Sequence, residues 1–336
     1  MKTKHKKIKK NFRKNKKAFD MPFSWMFAII VGAVILFLAL YATSRFIDVA
    51  KYSQYTEAAK SITVLIDPLE TGVASALGEV INFKQETRTY YGCYEPDASY
   101  AFGRQVLSFS EESGIKKQWA SPGGNITIKN KFIFSEQVEQ GKKLYVFSKP
   151  FFIGFKVSDI IMISSKEYCF ISSPNIIQES LENLNLRNIN LTTNINFCSE
   201  KSIKVCFETE YAGCDISVYG NEDMTVGYVI KQQGQRLEYI GNLVYAAIFS
   251  DASTYECNLK RLSKKISELA KVYSRKTEVL SSKGCDSIIK QYLDTIAGLT
   301  DDLSSYSDLN QAYLLSKQMD TENKQAQCQV YFGENY

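Results

Sequence analysis

The stretch PFSWMFAIIVGAVILFLALYATS, residues 22–44, contains no charged residue and decides the organisation of this 336-residue chain. A bilayer core of about 30 Å needs roughly 20 helical residues, which this stretch supplies with some tilt to spare. It exceeds the roughly 7 to 15 apolar residues of a cleaved signal peptide, and no A-x-A-like site follows it. We therefore predict a retained transmembrane helix over residues 22–46, with Trp25 and Tyr41 at the headgroup levels.

The charges that flank the apolar stretch predict its orientation. Residues 1–21 form a basic tail with ten Lys/Arg and one Asp, whereas the other flank has only Arg45, Asp48 and Lys51. Because basic residues stay on the cytoplasmic side, we expect a single-pass protein of the cell membrane, with a cytoplasmic N-terminus and an extracellular C-terminal domain. The tail should contact anionic lipid headgroups of the bilayer, at about 1 kcal/mol per basic residue.

The positive net charge of the chain, +5, comes from the basic tail. The tail carries +9, so the rest of the chain carries −4. A nucleic-acid-binding domain needs its basic stripe on the folded part, and we therefore expect no nucleic-acid partner.

A second interpretation of the N-terminus concerns processing. Lys16, Lys17 and Ala18 before the apolar helix resemble the cleavage region of archaeal and bacterial type IV prepilins. The acidic residue that pilins carry early in the mature helix is missing, and Pro22 lies nearby. Retention of the tail is the favoured interpretation, with cleavage near Ala18 as the alternative.

All the cysteines follow the apolar stretch, and an even number in an oxidising compartment predicts disulfides. They are Cys93, Cys169, Cys198, Cys206, Cys214, Cys257, Cys285 and Cys328. Zinc would need closely spaced C-x-x-C pairs or interleaved histidines, and neither occurs. Four disulfides and no metal or other cofactor are expected.

Helix topology in the last third predicts one disulfide pair. If three helices run up, down and up, Cys285 at the start of the second meets Cys328 beyond the end of the third. Cys257 then lies at the opposite pole, roughly 40 Å away, and should join the helices to the sheet. The pairing among the other five cysteines stays open.

Histidine is confined to His5 in the tail, so the external part of the chain has no imidazole. Catalysis by Ser-His-Asp or Cys-His groups and His-ligated metals are thereby excluded there. Carboxylate chemistry would be available to Glu208 and Glu210, predicted on one face of a strand, but a solvated strand edge is favoured. Asp301 and Asp302 are interpreted as helix-start residues. We expect no enzyme.

Two sequons, Asn125-Ile-Thr127 and Asn190-Leu-Thr192, are candidate glycosylation sites. The Pro-Gly-Gly turn before Asn125 favours exposure of that site.

Periodicity predicts an α+β fold in three parts behind the transmembrane helix: a helical stalk at 47–67, a β-rich ectodomain at 68–240 and an antiparallel helical bundle at 241–336. The predicted strands are 125–134, 142–157, 202–208, 215–219 and 225–232. In the third of these, Ile203, Val205 and Phe207 alternate with Cys206, which should therefore face a covering segment. One helix starts near Pro174. The bundle is expected to pack a core of its own.

Four segments carry a family resemblance: PFSWMFAIIVGAVILFLALY from residue 22, FSKPFFIGFKVSDI from 147, VCF at 205–207 with GCDI at 213–216, and YAAIFSDASTYECNLKRL from 245. They resemble an uncharacterised family of single-pass membrane proteins of small archaeal genomes. The resemblance implies an archaeal cell membrane and a disulfide-bearing external domain, and it brings no activity and no catalytic residue.

These observations predict a non-enzymatic, membrane-anchored cell-surface protein with a structural or binding role. Two alternatives stay open. One is a subunit of a pilus-like or secretion-related membrane assembly, with self-association or companion subunits as partners. The other is a His-independent envelope enzyme that uses carboxylate or Lys chemistry.

Overall fold

The structure, a computed structural model, describes residues 23–45, 78–112, 119–208, 213–232, 234–285, 288–303 and 305–333. The chain separates into two compact units, Met1–Lys51 and Tyr52–Tyr336. In the first unit the described residues form one helix, and the second unit holds the strands and the other helices. The predicted basic tail and the stalk at 47–67 lie outside the described residues.

Helix α1 (Phe23–Arg45) has a mean hydropathy of 2.6 over its most apolar window, and no residue of that window is buried. At 1.5 Å per residue its length is about 34 Å. Among the described residues it is the one helix long and apolar enough to cross a membrane, and it agrees with the predicted span.

The first sheet has six strands in the order β3-β2-β1-β5-β6-β4. Its strands are β1 (Glu79–Tyr94), β2 (Arg104–Glu111), β3 (Ile126–Ile128), β4 (Phe132–Phe134), β5 (Val138–Ile153) and β6 (Phe155–Ser164). Neighbours are antiparallel except β4 and β6, which are parallel. Strand β6 is buried on both faces, with Ile160 and Met162 in one hydrophobic cluster and Ile161 and Ile163 in another.

The second sheet has the order β12-β11-β10-β9-β7-β8. Its strands are β7 (Tyr168–Ile171), β8 (Ile189–Thr192), β9 (Ile203–Phe207), β10 (Ile216–Gly220), β11 (Val226–Lys231) and β12 (Arg236–Ile240). Strands β8, β7, β9 and β10 are parallel, whereas β10, β11 and β12 are antiparallel. Because parallel neighbours need a crossover, helix α2 (Asn175–Glu182) connects β7 to β8, and it starts after Pro174 as predicted.

The main hydrophobic core lies against one face of each sheet and continues into the C-terminal helices. At its centre is helix α3 (Leu243–Phe249), all seven residues of which are buried. A helix that is apolar all round has no amphipathic stripe. The sequence therefore placed this segment in the helical region 241–336 but did not delimit it as a separate helix. Phe249 of this helix packs edge-on against Phe147 of β5, with ring centroids 5.1 Å apart.

Three helices close the chain: α4 (Ala252–Ser281), α5 (Ile289–Asp301) and α6 (Tyr306–Gln325). Helix α4 packs on α5 and α5 on α6, in agreement with the predicted helices. The expectation of a separate bundle core is wrong, because Leu262, Leu293 and Met319 belong to the same cluster as Phe155 and Tyr239 of the sheets. The helices need the sheets to bury their apolar faces.

Four disulfides join the eight cysteines: Cys93–Cys257, Cys169–Cys198, Cys206–Cys214 and Cys285–Cys328. The structure thus pairs Cys285 with Cys328, which is the pair that helix topology predicts. Cys257 joins α4 to Cys93 of β1, so it links the helices to a sheet, also as expected.

Two of the disulfides hold connecting segments over the second sheet. Val205 and Phe207 lie in the main core, whereas Cys206 lies on the opposite face in a small cluster with Cys169. The partner of Cys206, Cys214, belongs to the connection between β9 and β10, so Cys206 faces a covering segment as its position in the strand predicted.

A buried polar clamp connects the first sheet to helix α4. Asn258 donates from Nδ2 to the Ile133 carbonyl at 2.7 Å and accepts from Arg261 Nη1 at 2.6 Å. The Gln105 amide pairs with both main-chain groups of Ile133, each at 2.7 Å. Arg261 also donates to the Phe102 carbonyl at 3.1 Å, and burial lowers its pKa to about 10. We call these groups the buried clamp.

Glu139 of β5 is a buried carboxyl. Its Oε2 accepts from the Ser165 amide at 2.8 Å and from the Ser165 hydroxyl at 2.5 Å. Burial raises its pKa, as does the nearby charge of Glu136, while the Ser165 hydrogen bonds and Lys166 oppose the shift. Burial raises the pKa values of Tyr91 and Tyr168, and the charge of Glu139 raises them further.

We expect Glu139→Gln to remove a pH dependence of stability. A carboxyl whose pKa is raised by folding binds its proton more tightly in the folded state, so wild-type stability falls as pH rises from about 4.5 through the folded pKa. The loss is about 1.4 kcal/mol per unit of pKa shift. Urea unfolding from pH 4 to 8 measures it, with exposed Glu79→Gln as the control. Parallel pH profiles of Glu139→Gln and the wild type would contradict the prediction.

Candidate functional site

A cleft of about 700 Å³ opens where the two sheets meet the start of α4. We call it the polar cleft, and its polar lining residues are Glu136, Gln137, Lys166, Asp215, Lys231, Gln232, Gln235, Asp251 and Ser253. Apolar side chains line it as well, among them Val138, Ile203, Ile216 and Ile248.

Strand order explains why the polar cleft lies here. Tyr168, Ile203 and Ile216 are the first residues of the parallel strands β7, β9 and β10, and all three line the cleft. The turn between β11 and β12 extends this wall, and the segment between β4 and β5 faces it together with the junction of α3 and α4. The cleft therefore lies at strand ends and not along a strand edge.

Asp251 is held by its role as the N-cap of α4. Its Oδ1 accepts from the Thr254 amide at 2.8 Å and the Ser253 hydroxyl at 2.7 Å. Its Oδ2 accepts from the Gln137 amide at 2.8 Å and the Thr254 hydroxyl at 3.1 Å. Because aspartate satisfies the free amides of a first turn, one side chain both starts α4 and fixes it to the strand segment across the cleft.

Lys231 ends strand β11 and reaches the end of α3. Its ammonium donates to the Ile248 carbonyl at 3.1 Å and to the Ser250 carbonyl. Burial lowers its pKa to about 8, while the charges of Glu136 and Asp251 favour the ammonium form. A cation at the end of a helix satisfies its last carbonyls, so Lys231 stabilises the α3 terminus from within the cleft wall.

The remaining charged groups of the cleft are also engaged. Asp215 accepts from the Lys204 amide at 2.8 Å and from the Gln232 side-chain amide. Lys166 and Glu136 form an ion pair, with 39% and 36% of their side chains exposed. The described residues contain no group of three His, Cys, Asp or Glu side chains that could hold a metal ion.

Glu208, Asp301 and Asp302, the carboxylates singled out in the sequence that the structure describes, do not line this cleft. Strand β9 ends at Phe207, and exposed Glu208 follows it with a φ of 56°, so the expected strand placement of Glu208 is wrong. Glu210 lies outside the described residues. Asp301 ends α5 instead of starting a helix. It binds Lys271 at 2.8 Å, and hydrogen bonds from lysines lower its pKa.

Sequence reasoning missed the polar cleft, because its residues come from separate segments that only folding brings together. One local signal was present. The N-cap pattern Asp251-Ala-Ser-Thr254 marks the start of α4, and this start forms one wall of the cleft.

The two sequons have different surroundings. Asn125 is exposed before strand β3, and Thr127 is exposed on that strand. Asn190 lies on β8, where its Nδ2 donates to the Phe197 carbonyl at 3.4 Å and lies 3.7 Å from the Cys169 sulfur. Both asparagines are exposed, but the side-chain nitrogen of Asn190, which would carry a glycan, already has protein partners.

We expect a glycan on Asn125 and none on Asn190. Intact mass and glycopeptide analysis of protein from native membranes should show that Asn125→Gln removes the glycan mass while Asn190→Gln leaves it unchanged. A glycan found on Asn190, or the absence of one on Asn125, would contradict this prediction.

Comparison with protein-family models, with curated proteins and with solved structures found no match to this chain. The chain is, in class, an α+β protein with four disulfides and one N-terminal apolar helix. The disulfides point to an oxidising compartment, and the helix to membrane anchoring.

Proposed function

We propose that this chain is a single-pass cell-membrane protein whose external domain binds a small polar ligand in the polar cleft, without catalysis. The observation that carries the proposal is the cleft itself. Its volume, about 700 Å³, falls within the roughly 300 to 1,000 Å³ of small-molecule sites, and its wall combines aliphatic side chains with polar groups, several of which are held by hydrogen bonds.

The orientation in this proposal rests on the ten basic residues of the tail and on the cysteines, all of which follow the apolar helix. Retention of a basic tail on the cytoplasmic side brings the disulfide-bonded domain outside. The tail then contacts the anionic headgroups of the inner leaflet. The resemblance to single-pass archaeal membrane proteins is in keeping with this arrangement.

Binding is favoured over catalysis by the state of the charged groups in the cleft. Asp251 accepts four hydrogen bonds, and Lys231 already donates to two carbonyls. A general base or nucleophile needs a lone pair directed at a substrate. The Asp251 carboxylate instead uses its lone pairs, and the Lys231 ammonium its protons, to hold the walls of the cleft together. Fixed polar groups of this kind suit recognition.

A substitution that fills the cleft tests the proposal. Gln235 lies exposed in the turn between β11 and β12, and a tryptophan there should occupy the cleft. Full-length protein in lipid nanodiscs is incubated with the small-molecule extract of its own cells and analysed by native mass spectrometry. Wild type and the control Gln311→Trp, which changes an exposed residue of α6, should retain a bound mass that Gln235→Trp loses.

Two results would overturn the proposal. One is the absence of any retained mass on the wild type. The other is retention by Gln235→Trp at the wild-type level, since the ligand would then lie elsewhere. Equal melting temperatures of the two tryptophan variants establish that loss of ligand is not loss of fold.

A further inference from the structure

We propose that the ligand of the polar cleft is a neutral saccharide. This inference rests on the binding function proposed above and adds the chemical class of the ligand. Three properties of the cleft carry it: the presence of charges of both signs, its mixture of hydrogen-bonding and aliphatic groups, and its position at the ends of strands.

Charge comes first. The cleft wall holds three carboxylates and two ammonium groups. Glu136 is paired with Lys166, and Lys231 is bound by two carbonyls at the end of α3. An anionic ligand would meet the carboxylates of Asp215 and Asp251 without an uncommitted cation, and a cationic ligand would meet Lys166 and Lys231 in the same wall. The wall thus presents charges of both signs with a net charge of −1, and this mixture favours a ligand without net charge of its own.

The donors and acceptors of the cleft wall that remain available for a ligand suit hydroxyl groups. A carboxylate offers about four lone-pair sites, and the Asp215 carboxylate accepts two hydrogen bonds from Lys204 and Gln232. The amides of Gln232 and Gln235 add groups that both donate and accept. Each sugar hydroxyl is likewise a donor and an acceptor, so a saccharide can use both kinds of partner.

The aliphatic part of the wall suits the C–H face of a sugar ring. Val138, which is 45% exposed, and partly buried Ile203 line the cleft beside the polar groups. Burial of the apolar ring face against such side chains contributes roughly 25 cal/mol per Å² of apolar surface removed from water. A ligand with only polar surface, such as a free inorganic ion, would not use this part of the cleft.

Position distinguishes a saccharide from a peptide. Extended peptides add to a sheet along an open strand edge, where main-chain groups form a ladder. The polar cleft is lined by the first residues of β7, β9 and β10, so no strand edge runs along it. A peptide would find side chains there but no ladder.

The experiment uses full-length protein in phospholipid nanodiscs, because maltoside and glucoside detergents would supply competing sugars. Saturation-transfer NMR is recorded with glucose, mannose, galactose, N-acetylglucosamine and their neutral disaccharides, and with glucuronate, glucosamine and tetra-alanine as comparison probes. At least one neutral sugar should bind. Affinity should fall at least about tenfold in Asp215→Asn, which loses a charged acceptor, and stay unchanged in the control Asp302→Asn.

Each outcome decides between specific alternatives. Stronger binding of glucuronate, glucosamine or tetra-alanine than of every neutral sugar would overturn the saccharide inference, as would equal affinity of Asp215→Asn and wild type. If no sugar binds but Gln235→Trp still removes the ligand retained from the native extract, the saccharide inference fails while the binding function stands. If sugars bind equally well to Gln235→Trp, both fail, because the polar cleft is then not the site.

Discussion

Replacement of both Cys93 and Cys257 by serine is expected to lower the free energy of unfolding by about 5 kcal/mol. This disulfide joins residues 164 positions apart, and in the chain-entropy description the stabilisation grows with the length of the closed loop. It is also the covalent link between strand β1 and helix α4. Urea unfolding of the full-length protein in nanodiscs, without reductant, measures the change.

The disulfide Cys206–Cys214 provides the matched comparison. It spans only 8 positions, so Cys206→Ser with Cys214→Ser should cost about 2.5 kcal/mol. We expect the loss of Cys93–Cys257 to lower the free energy of unfolding more than the loss of Cys206–Cys214 does. A larger loss from the short loop than from the long one would contradict the chain-entropy explanation and would point to packing in the small cluster around Cys206 and Cys169.

Asn258→Ala is expected to destabilise the protein by about 3 kcal/mol. The substitution removes the carboxamide oxygen that accepts from Arg261 Nη1 at 2.6 Å and the amide that donates to the Ile133 carbonyl at 2.7 Å. Arg261 has no exposed surface, so a charged donor group is left without its acceptor inside the protein. An uncompensated buried charge costs more than the loss of a neutral hydrogen bond.

The control for this prediction lies on the same helix. Glu256 is exposed on α4, and Glu256→Ala should change the free energy of unfolding by less than about 0.5 kcal/mol. Thermal and urea unfolding of both variants give the comparison. If Asn258→Ala were as stable as Glu256→Ala, Arg261 would have found another acceptor after the substitution. The prediction that Arg261 depends on Asn258 inside the buried clamp would then be contradicted.

The helices of this protein could be predicted because their signals are local. The spacing of Tyr255, Leu259, Leu262 and Ile266 repeats with the helical period, and all four are buried on α4. Strands were harder to predict. Strand β7 (Tyr168–Ile171) is buried on both faces, so it shows no alternation, and the sequence analysis did not predict it.

The disulfides show where local reasoning ends. Cys285 and Cys328 lie at the ends of helices joined by short connections, so the order of helices was enough to pair them. Cys93 is 164 positions from Cys257, and only the folded first sheet brings the two cysteines close together. Pairing over such distances depends on sheet order, which no spacing rule supplies.

By itself, the sequence determined the apolar helix, the periodic helices and the candidate disulfide framework. Each of these depends on length, period or residue type within one segment, and such properties act before tertiary contacts form. The tertiary structure alone decided the core that helices share with sheets, the burial of Glu139 and Arg261, and the polar cleft. These arise from contacts between distant segments, where burial and the partners of each polar group are set by packing and not by the neighbours in the chain.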